Sequence, residues 1–140
     1  MSANDFFLSP EFAVAGASAD EHKFGYKVLS WYKRHDLIVT PINPPILGLE
    51  PVAQLSDLKK PQDTSISVIT PPKVTLSILE QAEALGVSNI WLQPGTFDDT
   101  VMQRVRKLEG KINVIAQGRC ILVEGSEDLA IAVAHGGRKL

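Results

Sequence analysis

The stretch that decides the fold is residues 12–18, Phe12-Ala13-Val14-Ala15-Gly16-Ala17-Ser18. A short apolar run that ends at a glycine is typical of a strand buried on both faces of a parallel sheet. A helix is predicted next, over residues 24–35, because one helix face collects Phe24, Val28, Trp31 and Tyr32. A strand, a glycine turn and a helix in this order form the unit from which parallel α/β sheets are built.

The same order recurs along the chain, with further strands predicted over residues 37–42, 66–69, 90–92 and 112–116. Helix starts are predicted at Thr70, at Thr96 with Asp99 three residues later, and at Ser126. Gly86 would end the first of these helices, and the last would run to about His135. Because no hairpin turns join the strands, we predict an α/β fold: an open parallel sheet of about five strands with helices on both faces.

Prolines mark the less regular part of the chain. Pro41 removes a backbone donor from the second strand, which is tolerated near the end of a strand or at an edge of the sheet. Residues 44–61 are rich in proline, and a short helical turn is expected around residues 56–58.

Size and composition exclude several classes of protein. The 140 residues suit one domain, and 14 basic against 16 acidic residues give a net charge of 14 − 16 = −2, which argues against a nucleic-acid partner. The single cysteine, Cys120, excludes an internal disulfide and a cysteine-rich zinc module. No run approaches the ~20 apolar residues of a membrane span. Asp5 stands where a secretory leader would be basic, so a cytoplasmic location is expected.

The binding site is expected at the carboxyl ends of the strands, where open parallel sheets hold their ligands. Gly16 allows a close backbone approach there, and the amides of Ala17 and Ser18 could face an anion at a helix N-terminus. Lys23 could neutralise a phosphate, although the same turn also serves purely structural roles. The fingerprint G-x-G-x-x-G is absent, and Asn43 replaces the acidic residue that a dinucleotide ribose requires, so NAD is disfavoured.

Five spaced motifs carry a family resemblance: residues 13–18, 23–25, 41–44, 91–95 and 119–120. In this order and spacing they resemble the small CoA-binding domain proteins, which are similar to the nucleotide-binding domain of the succinyl-CoA synthetase alpha subunit. The resemblance runs from about Phe12 to Cys120. It implies a Rossmann-like sheet, a single CoA-binding domain over residues 1–140, and coenzyme A as the ligand.

The resemblance also implies roles for individual residues. Gly16, Ala17 and Ser18 would hold the pyrophosphate with help from Lys23, and Asn43 and Pro44 would lie beside the adenosine. Thr70, Pro71 and Pro72 would line the cleft, Gln93, Pro94 and Gly95 would face the pantetheine, and Arg119 and Cys120 would complete the site. The family often has asparagine where this chain has Gly118, so the contact of that side chain is expected to be lost here. No phosphohistidine loop is found around His22, His35 or His135, which argues against a complete ligase reaction.

Several of these residues admit a structural interpretation. Cys120 could meet the CoA thiol, with Arg119 favouring its thiolate, or it could be a small apolar residue packed beside the fifth strand. Phe24 and Tyr26 could stack on adenine, but Phe24 also fits the core face of its helix. Trp91 suits a buried strand, and Asp98 with Asp99 suits helix capping better than metal binding.

We interpret the chain as a module that binds CoA or an acyl-CoA without catalysis of its own. The alternatives are a CoA-dependent acyl-transfer or thiol-redox enzyme that uses Cys120, and a metabolite-sensing regulatory subunit. A homo-oligomer is compatible with each of them, and no metal or membrane partner is expected.

Overall fold

The computed structural model describes residues 3–42, 49, 52–116 and 118–134. Within these residues, one parallel sheet contains β1 Glu11–Ala15, β2 Val39–Ile42, β3 Thr64–Val68, β4 Asn89–Leu92 and β5 Asn113–Ile115. The strands lie in the order β2-β1-β3-β4-β5. The helices are α1 Ala3–Phe6, α2 Phe24–Arg34, α3 Pro72–Leu85, α4 Asp99–Lys107 and α5 Ile121–Ala134. The predicted α/β open sheet is therefore confirmed.

Two apolar cores cover the two faces of the sheet. Successive strand residues alternate between them because strand side chains point to opposite faces. Ala13 and Leu92 belong to the core under α3 and α4, whereas Val14 and Trp91 belong to the core under α1, α2 and α5. The prediction of helices on both faces is confirmed, and none of the described helices is long and apolar enough to cross a membrane.

The structure shows why a proline is tolerated in the second strand. β2 stands at one end of the strand order. The carbonyl oxygen of Pro41 accepts a hydrogen bond of 3.0 Å from the Val52 backbone N–H, on the side of β2 away from β1. Because the nitrogen of a strand residue lies on the same side as its carbonyl oxygen, the missing donor of Pro41 costs no bond to β1. A short 3₁₀ turn at Leu55–Asp57 matches the helical turn expected around residues 56–58, and a second one follows at Pro61–Asp63.

An aromatic cluster ties the N-terminal segment to the second core. Phe6 and Phe7 are fully buried, and the ring of Phe6 meets the ring of Trp91 edge to face at 5.5 Å between centroids. Phe7 lies 5.8 Å from Trp31. The core role predicted for Trp91 is confirmed, whereas the burial of the two phenylalanines has no periodic pattern that would predict it.

The predicted helix caps at Thr70 and Thr96 are wrong. Thr70 does not cap α3: the capping position is Pro71, and the Thr70 hydroxyl instead hydrogen-bonds the buried Thr75 hydroxyl at 2.8 Å. Thr96 does not cap α4, because its hydroxyl donates to the Gln93 carbonyl oxygen at 2.7 Å. Asp98 performs that role, accepting the Val101 N–H at 2.9 Å. In both cases, a local hydrogen bond inside the turn replaces the bond to the helix terminus.

The last helix begins at Ile121, five residues before Ser126, so Ser126 lies inside α5 and its predicted capping role is wrong as well. Gly125 lies in its middle, where a Cβ atom would come within 2.7 Å of the Trp31 side chain. A glycine in a polar stretch suggests a loop, but here it lets α5 pack closely on α2. The predicted end at His135 lies outside the described residues.

Candidate functional site

The carboxyl edge of the sheet brings most of the predicted loops into one row. Because the strand order is β2-β1-β3-β4-β5, the loops after these strands follow one another across the edge. Neighbouring strands are about 4.8 Å apart, so four spacings make a row of roughly 19 Å. β2 lies on one side of β1 and β3 lies on the other. The direction of strand addition therefore reverses at β1, and this topological switch point lies beside Gly16. Asn43 and Pro44, which follow β2, lie outside the described residues.

Three pieces of backbone meet at the switch point. Gly16 has a φ of +92°, and a Cβ there would come within 2.6 Å of the Ile69 carbonyl oxygen at the end of β3. A Cβ on Gly25, in the first turn of α2, would collide with the carbonyl oxygen of Gly16. The turn after β1, the end of β3 and the start of α2 are therefore packed more closely than any side chain allows. Gly25 is part of a motif quoted above, but its contact is not predictable from the sequence.

The N-terminus of α2 has no side-chain cap. Lys23 is at the capping position with extended backbone and makes no capping hydrogen bond through its side chain. The polar side chains of the preceding turn serve the turn itself: Ser18 accepts the Asp20 N–H at 3.1 Å, and Asp20 accepts the His22 N–H at 2.9 Å. The first-turn amides of α2, with the positive end of the helix dipole, are thus available to an anion.

Phe24 departs from the predicted core face. Val28, Trp31 and Tyr32 are buried as expected, but Phe24 is 38% exposed at the first position of α2. Tyr26 is half-buried and packs against the core. Of the two candidate stacking residues, Phe24 therefore presents the more accessible ring beside the turn after β1.

The loop after β3 lies against that turn. The Thr70 methyl carbon would be 3.2 Å from a Cβ on Gly16, so Thr70 lies directly beside the turn after β1. Pro71 is exposed and Pro72 half-buried at the start of α3. Pro72 at the first helical position loses no hydrogen bond, because the N–H there has no partner within a helix.

The loop after β4 divides into a buried and an exposed part. The Gln93 side chain is fully buried, and its Oε1 accepts the Ile121 backbone N–H at 3.2 Å. Its Nε2 has no hydrogen-bond partner within the described part of the chain. Pro94 and Gly95 are exposed, and Gly95 has a φ of +88° with open space around it.

Arg119 and Cys120, which directly precede α5, are a second group of predicted site residues, and Arg119 contacts β4. The Trp91 indole N–H donates to the Arg119 carbonyl oxygen at 3.0 Å, and the Arg119 guanidinium lies 5.8 Å from the centre of the Trp91 ring. Cys120 is half-buried, and its N–H donates to a Glu124 carboxylate oxygen at 3.1 Å. Cys120 therefore lies at the end of the row, beside the helix terminus that Gln93 contacts.

The charge of Arg119 is already balanced by two carboxylates. The guanidinium donates to Glu124 at 3.0 Å and to Asp128 at 3.1 Å. Arg119 is thus already paired with two carboxylates, and reactivity of the Cys120 thiol stays a prediction. Glu124 and Asp128 are not among the predicted site residues, although their spacing of four residues places them on one helix face once α5 is known to begin at Ile121.

Asp128→Asn is expected to change how stability depends on pH. Burial raises the pKa of Asp128 above its usual 3.8, although Arg119 acts in the opposite direction. In the window between 3.8 and the raised pKa, the folded state keeps a proton that the unfolded state has lost. The free energy of unfolding of the native protein therefore falls through this window as pH rises. Relative to the native protein, Asp128→Asn should gain stability over the same window, as measured by urea denaturation.

Glu83→Gln provides a control of opposite sign. The hydrogen bond from Lys111, together with Arg104, holds the pKa of Glu83 below its usual 4.5. Glu83 thus contributes stability above 4.5, and this contribution is lost as pH falls through the lowered pKa. The native protein should exceed Glu83→Gln in stability at neutral pH, and the two should converge in acid. Shifts of the same sign in both variants would contradict these assignments.

Metal ligation finds no support in the described segments. They contain no group of three or more His, Cys, Asp or Glu side chains that could hold a metal ion. Asp98 caps α4, as the capping interpretation of the Asp98–Asp99 pair predicts.

The parallel strand order and the glycine turn after β1 are those of a Rossmann-like α/β fold. A family model described as the CoA binding domain matches residues 10–126, and the chain belongs to that family. No match is found among curated proteins.

Solved structures show the same architecture. A conserved hypothetical protein from Pyrococcus furiosus is 31% identical, with a TM-score of 0.72 over 81% of this chain and 97% of the other. A protein from Thermus thermophilus is 28% identical, with a TM-score of 0.75 over 91% and 99%. A hypothetical protein from Pyrococcus horikoshii, at 20% identity, shares the fold with a TM-score of 0.76 over 92% and 93%.

Proposed function

We propose that this chain binds coenzyme A, as the free thiol or as an acyl thioester, along the carboxyl edge of its sheet. The observation that carries the proposal is the backbone contact of Gly16 with β3 and Gly25, beside a helix terminus without a side-chain cap. A pyrophosphate needs this combination of close approach and free amides. Membership of the CoA-binding domain family supports the identity of the ligand.

The row of loops supports an extended pose for the ligand. The pyrophosphate would lie on residues 16–18 with Lys23 beside it, and the adenosine would turn towards the end of β2. Asn43 and Pro44 keep only the support of the family resemblance in this pose. The pantetheine would run past residues 70–72 and 93–95 towards Cys120, because β3, β4 and β5 follow β1 in the sheet. A linear ligand fits such a row better than a compact one does.

Local groups must supply the attraction for the phosphates. The chain has a net charge of −2, so its overall field does not draw a polyanion towards it. The amides at the start of α2 and the exposed ammonium of Lys23 are the positive groups at the switch point. Binding should therefore depend on these few groups more than on the rest of the surface.

Calorimetric titration of the full chain with CoA, ADP and NAD tests the proposal. CoA should bind most tightly, ADP should bind more weakly through the shared diphosphate, and NAD should bind least. An affinity for NAD equal to or above that for CoA would reject the proposed ligand.

Lys23→Glu is expected to weaken CoA binding about tenfold or more, which corresponds to a loss of about 1.4 kcal/mol. The reason is that an ammonium beside the phosphates is replaced by a carboxylate. The affinity of the native protein should also fall with added salt more steeply than that of the variant. Both effects are read from titrations at two salt concentrations.

Lys107→Glu is the matched control, since it makes the same change of charge at an exposed position at the far end of α4. It should leave the affinity for CoA within a factor of about two, because the 9 residues of α4 lead about 14 Å away from the carboxyl edge of the sheet, which exceeds a Debye length of about 10 Å. Equal losses in both variants would show that net charge, rather than Lys23, governs binding.

A further inference from the structure

Gln93 leaves a hydrogen-bond donor unused at the thiol end of the row. Its side chain is fully buried, yet Nε2 has no acceptor among the residues that the structure describes. A buried donor without a partner costs about 1–3 kcal/mol, so such a group is rare in a folded protein unless a ligand or water completes it. The nitrogen therefore indicates a missing acceptor at this place.

The orientation of the Gln93 amide follows from its other end. Oε1 accepts the Ile121 N–H at the start of α5, at 3.2 Å. Turning the amide over would set its N–H groups against another N–H, so Nε2 must face away from Ile121. The Gln93 side chain is thus held at the carboxyl end of β4, directly after Leu92, with its oxygen on the first residue of α5.

We propose that Gln93 Nε2 donates a hydrogen bond to the carbonyl oxygen of an acyl thioester, so that acyl-CoA is the preferred form of the ligand. This inference rests on the proposed function, because the CoA pose brings the sulfur end of the ligand towards β4 and β5. A carbonyl oxygen is a good acceptor, whereas the sulfur of free CoA is a weak one. The positive end of α5 also favours the partial negative charge of a carbonyl oxygen.

The burial of Nε2 has a kinetic consequence. Because the nitrogen is enclosed, an acyl group has to displace the atoms that cover it before the hydrogen bond forms. Association of acyl-CoA should accordingly be slower than association of free CoA, while its dissociation is slower still.

The test compares three ligands by calorimetry on the full chain: CoA, acetyl-CoA and S-ethyl-CoA, a thioether of similar size without the carbonyl oxygen. Acetyl-CoA should bind about tenfold more tightly than S-ethyl-CoA, because only the thioester offers the acceptor. S-ethyl-CoA should bind about as well as CoA. The thioether separates the effect of the oxygen from the effect of added apolar volume.

Two variants locate the preference at Gln93. Gln93→Glu keeps an oxygen for the Ile121 N–H and replaces the free donor with an acceptor, and Gln93→Met removes the donor with an apolar side chain of similar length. Both should lose the tenfold preference for acetyl-CoA over S-ethyl-CoA. Gln103→Glu, at an exposed position of α4, is the control and should keep it.

The outcomes separate this inference from the proposed function. If none of the three ligands binds the native protein, the proposed function fails. If all three bind with equal affinity, or if both Gln93 variants fold and retain the preference, CoA binding stands and the role of Gln93 is rejected. If neither variant folds, the affinities of the native protein still decide whether the carbonyl oxygen is recognised. Acetyl-CoA must then bind more tightly than S-ethyl-CoA, and equal affinities reject the inference.

Discussion

Gly16→Ala is expected to abolish measurable CoA binding and to lower the free energy of unfolding by roughly 2–4 kcal/mol. Two costs add at this position. The φ of +92° strains any residue that has a Cβ atom, and that Cβ would come within 2.6 Å of the Ile69 carbonyl oxygen. The obstacle is backbone at the end of a central strand, so it cannot rotate away as a side chain would. Relief requires the turn to move, which carries the α2 amides away from the phosphates. Urea denaturation and CoA titration measure the two effects.

Gly110→Ala is the matched control for the backbone strain. Gly110 has a φ of +86°, close to that of Gly16, but a Cβ there would meet nothing within 4 Å. The control should lose only the conformational part, about 1 kcal/mol, and should bind CoA as the native protein does. The difference between the two variants isolates the contact with β3. Equal stability losses, together with unchanged CoA affinity in Gly16→Ala, would show that the close approach has no role in either property.

The sheet could be predicted from the sequence because its strands are buried on both faces. Runs such as residues 12–15 and 90–92 are apolar throughout, and the helices between them repeat at helical spacing. Strand order was not predictable from these patterns. Pro41 limits the position of β2 only in part, because a residue that cannot donate to a neighbour is tolerated either near a strand end or at a sheet edge.

Features that depend on distant contacts were not predictable. Phe6 and Phe7 are buried because Trp91 and Phe12 meet them from the sheet, and no local period reveals such a partner. The early start of α5 is similar: its polar middle and Gly125 suggest a loop until the ring of Trp31 is seen against that glycine. Local pattern predicts an element, but tertiary contact decides where the element begins.

In the candidate site, too, some residues could be predicted from local pattern and others depend on distant contacts. The turn at residues 16–18 and its neighbour Thr70 could be predicted, because ligand loops follow the strands of a parallel sheet. The unused donor of Gln93 could not, since a glutamine after a strand has no special meaning until its partners are known. Arg119 was expected beside Cys120, but its binding to Glu124 and Asp128 depends on the true start of α5.

Gly25→Ala is expected to be destabilising by about 1–3 kcal/mol, although alanine is the better helix former. In an exposed helix the same replacement stabilises by about 1 kcal/mol, so the sign of the change is itself informative. The reason is that the new Cβ would collide with the Gly16 carbonyl oxygen and come within 3.2 Å of the Ser18 backbone nitrogen. Thermal and urea denaturation measure stability, and titration with CoA measures affinity, which should fall by at least about tenfold.

Gly125→Ala distinguishes this effect from ordinary crowding in a helix. Gly125 is also buried in a helix, but its new Cβ would meet the side chains of Ile121 and Trp31 instead of the backbone of the turn. Gly125→Ala should therefore lose stability while it keeps its affinity for CoA. If Gly25→Ala stabilises the chain, α2 does not rest on the turn after β1. If it destabilises the chain but binds CoA as tightly as Gly125→Ala does, the phosphates do not lie at this turn, and the pose that begins there is wrong.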